Sequence, residues 1–196
     1  LADPIGDLMM FGCTIEEFAA KLAEMGIDLS AMDPAAFLPP IGPGYERRPS
    51  ALYKNMLTPL APYGLKGFLY YQGETDGDTH PECYKTLFPE LIRNWRELWG
   101  EELPFLFVQI APLEQWMECI RKPYAIIRAA QQHTADTVPG TGMVSTSDVG
   151  MRRDIHPKKK KPVGERLALL AEKMVYGQDV VCDAPILKSL TKEAAG

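Results

Sequence analysis

The residue best suited to acid–base chemistry in this sequence is His156, which stands in the stretch DIHP two residues after Asp154. A histidine can act as a general base because its pKa lies near neutrality, and a nearby carboxylate can fix its tautomer. The other two histidines are weaker candidates, since His80 lies in an acidic polar loop and His133 late in a helical pattern. His156 is therefore the predicted base.

A second polar segment ends the apolar run of the stretch GFLYYQGETD. Gln72 can donate through its side-chain amide, and Gly73 lets a ligand approach the backbone closely. Glu74 can orient a neighbour by accepting hydrogen bonds. The alternative is a capped turn in which Glu74 and Asp76 satisfy amides of the loop, and spacing alone favours this alternative.

A base needs a nucleophile to activate, and no serine in the chain has the context of one. None lies in a G-x-S-x-G elbow, and Ser147 is the best placed by position. The basic run Lys158–Lys161 is typical of a solvated surface, because no glycine-rich phosphate loop accompanies it.

The elements that must position these residues alternate between strands and helices. Apolar runs predict strands over 65–71, 104–110 and 142–146. Apolar periodicity predicts helices over 82–99 and 124–137, and a last one from Pro162 to a stop at Gly177. Continuous apolar strands separated by helices predict an α/β fold with a parallel sheet covered on both faces.

Ligands of such sheets bind beyond the carboxyl ends of the strands. Three segments are therefore expected to converge on one rim: 72–74, 111–112 and 147–156. Upstream, a capping box and an apolar stripe predict a short helix over 14–26, and a segment rich in Pro and Gly predicts a loop or lid over 33–49.

Composition excludes several classes of protein. The chain has 196 residues and a formal charge of −5, which suits one globular domain and argues against nucleic acid or an anionic membrane as its partner. It lacks an apolar run long enough for a membrane span. The four cysteines form no C-x-x-C, so neither zinc nor a redox pair is expected, and no cofactor is predicted.

Several segments, in the same order, resemble the sialate O-acetylesterase family of the SGNH hydrolases. They are PSALYKNML (49–57), GFLYYQGETD (67–76), WRELWG (95–100), IRAAQ (127–131) and DIHP (154–157). The resemblance implies a flavodoxin-like three-layer α/β/α fold, incomplete in this chain. It assigns 49–177 to the C-terminal portion of the esterase domain and 178–196 to a tail leading toward a β-rich segment, and it leaves 1–48 unassigned.

The resemblance also implies a serine esterase that removes O-acetyl groups from a sugar such as sialic acid or a plant or host glycan. His156 would take the proton of the serine, Gln72 would donate to the oxyanion, and Gly73 and Glu74 would form the turn around it. The family's Gly-Gln-Ser-Asn-type block has no counterpart here. The nucleophile is therefore expected in a missing N-terminal segment of the same protein, and this chain alone is expected to be inactive.

The acid that supports His156 stays open. Many SGNH enzymes carry it three residues before the histidine, where this chain has Arg153, so Asp154 and Asp148 are both candidates. Arg128 and Gln131 match a family motif with a supporting role.

A different class of function also fits the sequence. Because the serine is missing, the chain could be a noncatalytic carbohydrate-binding domain or a decayed esterase. Its sugar site would then be the aromatic rim around Tyr70, Tyr71 and Trp116.

Overall fold

The structure, a computed structural model, describes residues 50, 52–61, 63–79, 81–116, 119–120, 124–182, 184, 189 and 191. Its strands are β1 (Phe68–Tyr70), β2 (Phe105–Val108), β3 (Gln115–Trp116), β4 (Cys119–Ile120) and β5 (Thr141–Val144). Its α-helices are α1 (Asp76–Thr79), α2 (Tyr84–Trp99), α3 (Tyr124–Thr137) and α4 (Lys161–Met174). Shorter helical turns span Tyr53–Leu57, Thr58–Leu60 and Pro81–Cys83. The helix expected over 14–26 and the loop over 33–49 lie outside the described residues.

The main sheet is parallel, with the strand order β1-β2-β5. Phe68 pairs with Phe105, and Phe105 pairs in turn with Thr141. This confirms the predicted parallel α/β sheet, although each strand is shorter than the apolar run that predicted it. β3 and β4 form a separate antiparallel pair that the sequence did not predict.

Helices cover both faces of the sheet. Successive side chains of β2 point to opposite faces, and each face packs against different helices. Phe105 and Phe107 lie in a core cluster with apolar residues of α2 and α3. Leu106 and Val108 lie in a second cluster with apolar residues of α4. All four side chains are at most 1% exposed. The predicted three-layer arrangement is therefore confirmed for the described part of the chain.

Helix α2 ends where the sequence predicts, but its buried face differs from the apolar pattern. It stops at Gly100, whose φ of 69° places it in the left-handed conformation of a C-cap. Leu87, an apolar residue of the helix predicted from apolar periodicity, is 58% exposed, whereas Arg96 is buried. The burial of its guanidinium is compensated in part, because Nε donates to the Leu103 carbonyl at 2.9 Å and Nη1 lies 3.3 Å from a carboxylate oxygen of Glu102.

Helix α4 packs closely on β5 because residue 142 is a glycine. A Cβ at Gly142 would lie 2.5 Å from Sδ of Met174 and 3.0 Å from a methyl carbon of Leu170. The absence of a side chain therefore sets the distance between helix and sheet. None of the helices in the described ranges has the length and apolar character needed to cross a bilayer.

Candidate active site

The turn after β1 begins with Gln72, whose side chain is held at both ends. Its amide nitrogen donates to a carboxylate oxygen of Asp76 at 2.5 Å, and its amide oxygen accepts from the Tyr70 hydroxyl at 3.0 Å. Asp76, expected at most to cap the turn, therefore binds the side chain of a predicted site residue.

The backbone carbonyl of Gln72 is anchored by the two helices beneath it. It accepts from the Tyr84 hydroxyl at 3.2 Å and from Nε2 of Gln131 at 3.2 Å. Gln131 is 1% exposed, and its amide oxygen accepts the Ile110 backbone N–H at 2.9 Å. One buried side chain thus ties the end of β1 to the end of β2.

Gly73 has a backbone and a packing that only glycine satisfies. Its φ is +146°, and a Cβ there would lie 3.1 Å from side-chain carbons of Ile110 and Ile127 and 3.2 Å from Nε2 of Gln131. These neighbours belong to the protein itself. The packing of the turn therefore accounts for this glycine without a ligand.

Glu74 lies half-buried near two basic side chains. Burial raises the pKa of its carboxyl group, while backbone hydrogen bonds and the charges of Lys160 and His156 lower it in part. Nζ of Lys160 also lies 4.5 Å from the centroid of the Tyr71 ring. Glu74 is therefore within range of the charges of Lys160 and His156, and the common site predicted for Glu74 and His156 stays a prediction.

Asp154 lies beside His156. One carboxylate oxygen of Asp154 accepts the His156 backbone N–H at 2.9 Å and lies 3.5 Å from Nδ1 of the ring. The imidazole is open to solvent, with 78% of its side chain exposed, and Pro157 behind it is buried. The arrangement is that of a histidine oriented by a neighbouring acid.

Asp148, the other candidate acid, binds a different partner. Both of its carboxylate oxygens accept from Arg166 of α4, at 2.7 and 2.6 Å. The hydrogen bond from Arg166 is the main reason that the pKa of Asp148 falls to about 2. The same guanidinium donates to the Ser145 carbonyl at 2.7 Å, so the Asp148–Arg166 pair fixes the start of the loop after β5.

Ser147, in the same loop, is bound by Arg128. Its Oγ accepts from a terminal nitrogen of Arg128 at 2.7 Å and lies 3.0 Å from Oγ of Ser145. Arg128 also donates to the Ile110 carbonyl, and burial lowers the pKa of its guanidinium. Arg128 therefore joins the ends of β2 and β5, in line with the supporting role that the family motif implies.

The loop after β5 passes over the end of β2 and so brings the three predicted segments to one rim. The backbone N–H groups of Glu114 and Gln115 donate to the Arg152 carbonyl at 3.2 and 3.1 Å. A Cβ at Gly150 would lie 3.1 Å from the Ala111 Cβ and from the Pro112 carbonyl oxygen. This crossing packs the loop that leads to His156 against the carboxyl end of β2.

Tyr70, one of the three aromatic residues predicted to form a sugar-binding rim, packs against other aromatic residues of the core. The ring of Tyr70 stacks on Phe88 at a centroid distance of 5.3 Å and contacts Trp95 and Phe105. Burial, followed by the charges of Asp76 and Glu74, raises the pKa of Tyr70 to about 12. Tyr70 therefore belongs to the core, and its hydroxyl serves Gln72. The side chain of Trp116 lies outside the described part.

The sequence does not predict a role in the site for Lys160 or Asp76. Lys160 belongs to a basic run that is typical of solvated surface, and Asp76 was considered only as a turn cap. A weak signal for Asp76 existed, since it lies four residues after Gln72, but the pairing requires the turn through Gly73. Lys160 carried no sequence signal that would separate it from its three lysine neighbours.

Comparison with known proteins matches most of the chain to one family. A family model described as carbohydrate esterase, sialic acid-specific acetylesterase, matches residues 39–173. The sialate O-acetylesterase of Mus musculus is 32% identical over 163 residues, which are 73% of this chain and 30% of that protein. The sialate O-acetylesterase of Rattus norvegicus is 30% identical over 161 residues, 72% of this chain and 29% of that protein.

A solved structure is also similar. The crystal structure of a carbohydrate acetylesterase from Xanthomonas citri superposes with a TM-score of 0.67 at 36% identity, over 88% of this chain and 43% of that one. The chain spans about 30% of the length of the curated relatives and less than half of the solved structure.

Proposed function

The chain belongs to the carbohydrate esterase family described as sialic acid-specific acetylesterase, and from this premise we propose that the protein removes O-acetyl groups from sugars by serine-dependent hydrolysis. The observation that carries the proposal is the Asp154–His156 pair, in which a carboxylate oxygen lies 3.5 Å from Nδ1 of the ring. An O-acetylated sugar, of the sialic acid type or from a plant or host glycan, is the proposed substrate.

His156 is the proposed general base and acid. Because Asp154 lies beside Nδ1, that nitrogen carries the proton and Nε2 is left to accept one. The serine oxygen attacks the acetyl carbonyl carbon while Nε2 takes the serine proton, and the carbonyl electron pair moves onto oxygen. Gln72 donates an amide N–H to this oxyanion.

Collapse of the tetrahedral intermediate breaks the bond between the acetyl carbon and the sugar oxygen. His156 gives its proton to that oxygen, so the sugar leaves with a free hydroxyl and the acetyl group stays on the serine. Water then attacks the acetyl-enzyme in the same way, with His156 again accepting and returning a proton, and acetate is released.

The proposed nucleophile lies in a segment outside these 196 residues. Two features support this. The Oγ of Ser147, the best-placed serine, is already bound by Arg128. In addition, β1 stands at the edge of the described sheet, so a further strand can pair with it.

Labelling with a fluorophosphonate probe and hydrolysis of an aryl acetate test the proposal in the complete encoded protein. We expect labelling that an O-acetylated sugar competes away, and we expect His156→Ala to lower turnover at least about a thousandfold. His133→Gln, on helix α3, is the matched control and should keep turnover within about threefold.

Normal hydrolysis by His156→Ala would refute the assignment of the base. Saturable binding of the sugar without any labelling would refute the esterase and support a noncatalytic carbohydrate-binding domain.

A further inference from the structure

The side-chain amide of Gln72 has a defined orientation because of the chemistry of its two partners. The carboxylate of Asp76, when ionised, can only accept hydrogen bonds, so the group that faces it must be the NH2 of Gln72. The hydroxyl of Tyr70 can both donate and accept, so it adapts to whichever amide atom it meets. Asp76 therefore decides which way the amide points.

The hydrogen bond to Asp76 leaves one of the two amide hydrogens of Gln72 available. An amide NH2 carries two hydrogens, and the 2.5 Å contact uses one of them. Among the described residues, no acceptor for the second hydrogen is found. A donor that is fixed in place before the substrate arrives is what stabilisation of an oxyanion requires.

The backbone of Gln72 is held as firmly as its side chain. Its carbonyl accepts from Tyr84 and from Gln131, so the residue makes hydrogen bonds with four different side chains, accepting from three and donating to Asp76. Such a set of contacts exceeds what a surface turn needs and fixes the position of the amide within the rim.

We propose that Asp76, together with Tyr70, is a positioning residue that presents the second amide N–H of Gln72 to the oxyanion of the acetyl ester. The inference rests on the proposed esterase function and deepens it, since it names the residue that orients the oxyanion donor. Without Asp76, the amide can turn over and present its oxygen, which repels the developing negative charge.

The test is a double-mutant cycle in the complete encoded protein, with an aryl acetate as the substrate. Asp76→Ala should lower kcat by about 10- to 100-fold, somewhat less than the loss of an oxyanion donor, and should leave KM within about twofold. Asp76→Asn can donate as well as accept, so it no longer decides which way the amide points, and we expect it to lower kcat about 5- to 10-fold. Thr75→Ala, an exposed neighbour in the same turn, is the matched control and should change neither constant.

The second arm of the cycle uses Gln72→Ala. In that background Asp76→Ala should cost less than about twofold, because Asp76 acts through Gln72. The inference is overturned if Asp76→Ala lowers kcat equally with and without Gln72, or if it leaves kcat unchanged. In either case the proposed esterase function still holds as long as turnover depends on His156. If Asp76→Ala unfolds, the same decision rests on Asp76→Asn, whose loss must likewise disappear without Gln72. A wild-type protein that hydrolyses no acetyl ester overturns the proposed function and the inference with it.

Discussion

One carboxylate oxygen of Asp154 lies 3.5 Å from Nδ1 of His156 and also accepts the backbone N–H of the same residue at 2.9 Å. The acid is the shielded member, with 26% of its side chain exposed against 78% for the histidine. A single carboxylate therefore fixes the peptide of His156 and lies within ion-pair distance of its exposed ring.

Replacing Asp154 by Asn should remove the charge that supports the imidazolium and permit the wrong tautomer. We expect Asp154→Asn to lower kcat by about 10² to 10⁴, measured by aryl-acetate hydrolysis in the complete encoded protein. Asp148→Asn is the matched control, because Arg166 already binds that carboxylate, and it should cost less than about threefold. A larger loss from Asp148→Asn than from Asp154→Asn would move the acid to Asp148.

Glu74 should make stability depend on pH in a defined direction. Burial raises its folded pKa above the ordinary value of 4.5, so the ionised carboxylate destabilises the folded protein as the pH rises from there through the folded pKa. Below about 4.5 the carboxyl group is largely protonated in both states and the cost is absent. Glu74→Gln should therefore raise the Tm at pH 7, and the gain should vanish toward pH 4.

Thermal unfolding of wild type and Glu74→Gln at four pH values between 4 and 8 measures this difference. The exposed Glu101→Gln is the control and should show no such trend. A Tm gain that is equal at all pH values would assign the effect to packing instead of charge. Because Glu74 belongs to the proposed site, the stabilised variant should also turn over more slowly.

Two glycines should respond to alanine with opposite signs. Gly73→Ala combines a φ of +146° with three contacts of 3.1 to 3.2 Å, and we expect a loss of about 1–3 kcal/mol of unfolding free energy. Gly164 lies within α4 with no atom within 4 Å of its would-be Cβ, so Gly164→Ala should gain about 0.5–1 kcal/mol. Urea unfolding measures both, and a neutral Gly73→Ala would show that the turn can relax.

The 196 residues expressed alone should lack both turnover and a cooperative unfolding transition. The proposed nucleophile is then absent, and β1 has an unpaired edge in the described part of the sheet. The complete encoded protein is the positive control, assayed side by side for aryl-acetate hydrolysis and thermal unfolding. Cooperative unfolding with turnover near that of the complete protein would place the nucleophile within this chain, and Ser147 would be the first serine to replace.

Features that depend on local periodicity could be predicted from the sequence. The bounds of α3, Tyr124–Thr137, agree with the predicted helix because its apolar spacing is local information. The parallel sheet followed from the alternation of strands and helices. Strand ends were predicted too long, because an apolar run marks burial and not the extent of hydrogen-bonded pairing.

Features that depend on tertiary contacts could not be predicted. Arg96 is buried because a carbonyl from the next loop accepts its Nε, and no pattern within α2 signals that partner. The family motif implied a supporting role for Gln131, but no pattern within α3 signals that its side chain joins the ends of two strands. The pairing of Gln72 with Asp76 depends on the turn conformation that Gly73 allows.

The parallel order β1-β2-β5 also has a consequence for the kinetics of folding. Each of these three strands pairs with a partner on the far side of a crossover helix, so neither pair of the main sheet can form as a local hairpin. The entropy of closing these long loops must be lost before the sheet gains any stability, and folding of such topologies is correspondingly slow. Helices such as α3 can form within microseconds, whereas registration of Phe68 against Phe105 has to wait for collapse around β2. During that interval the apolar strands are exposed, so the yield of refolding should fall as the protein concentration rises.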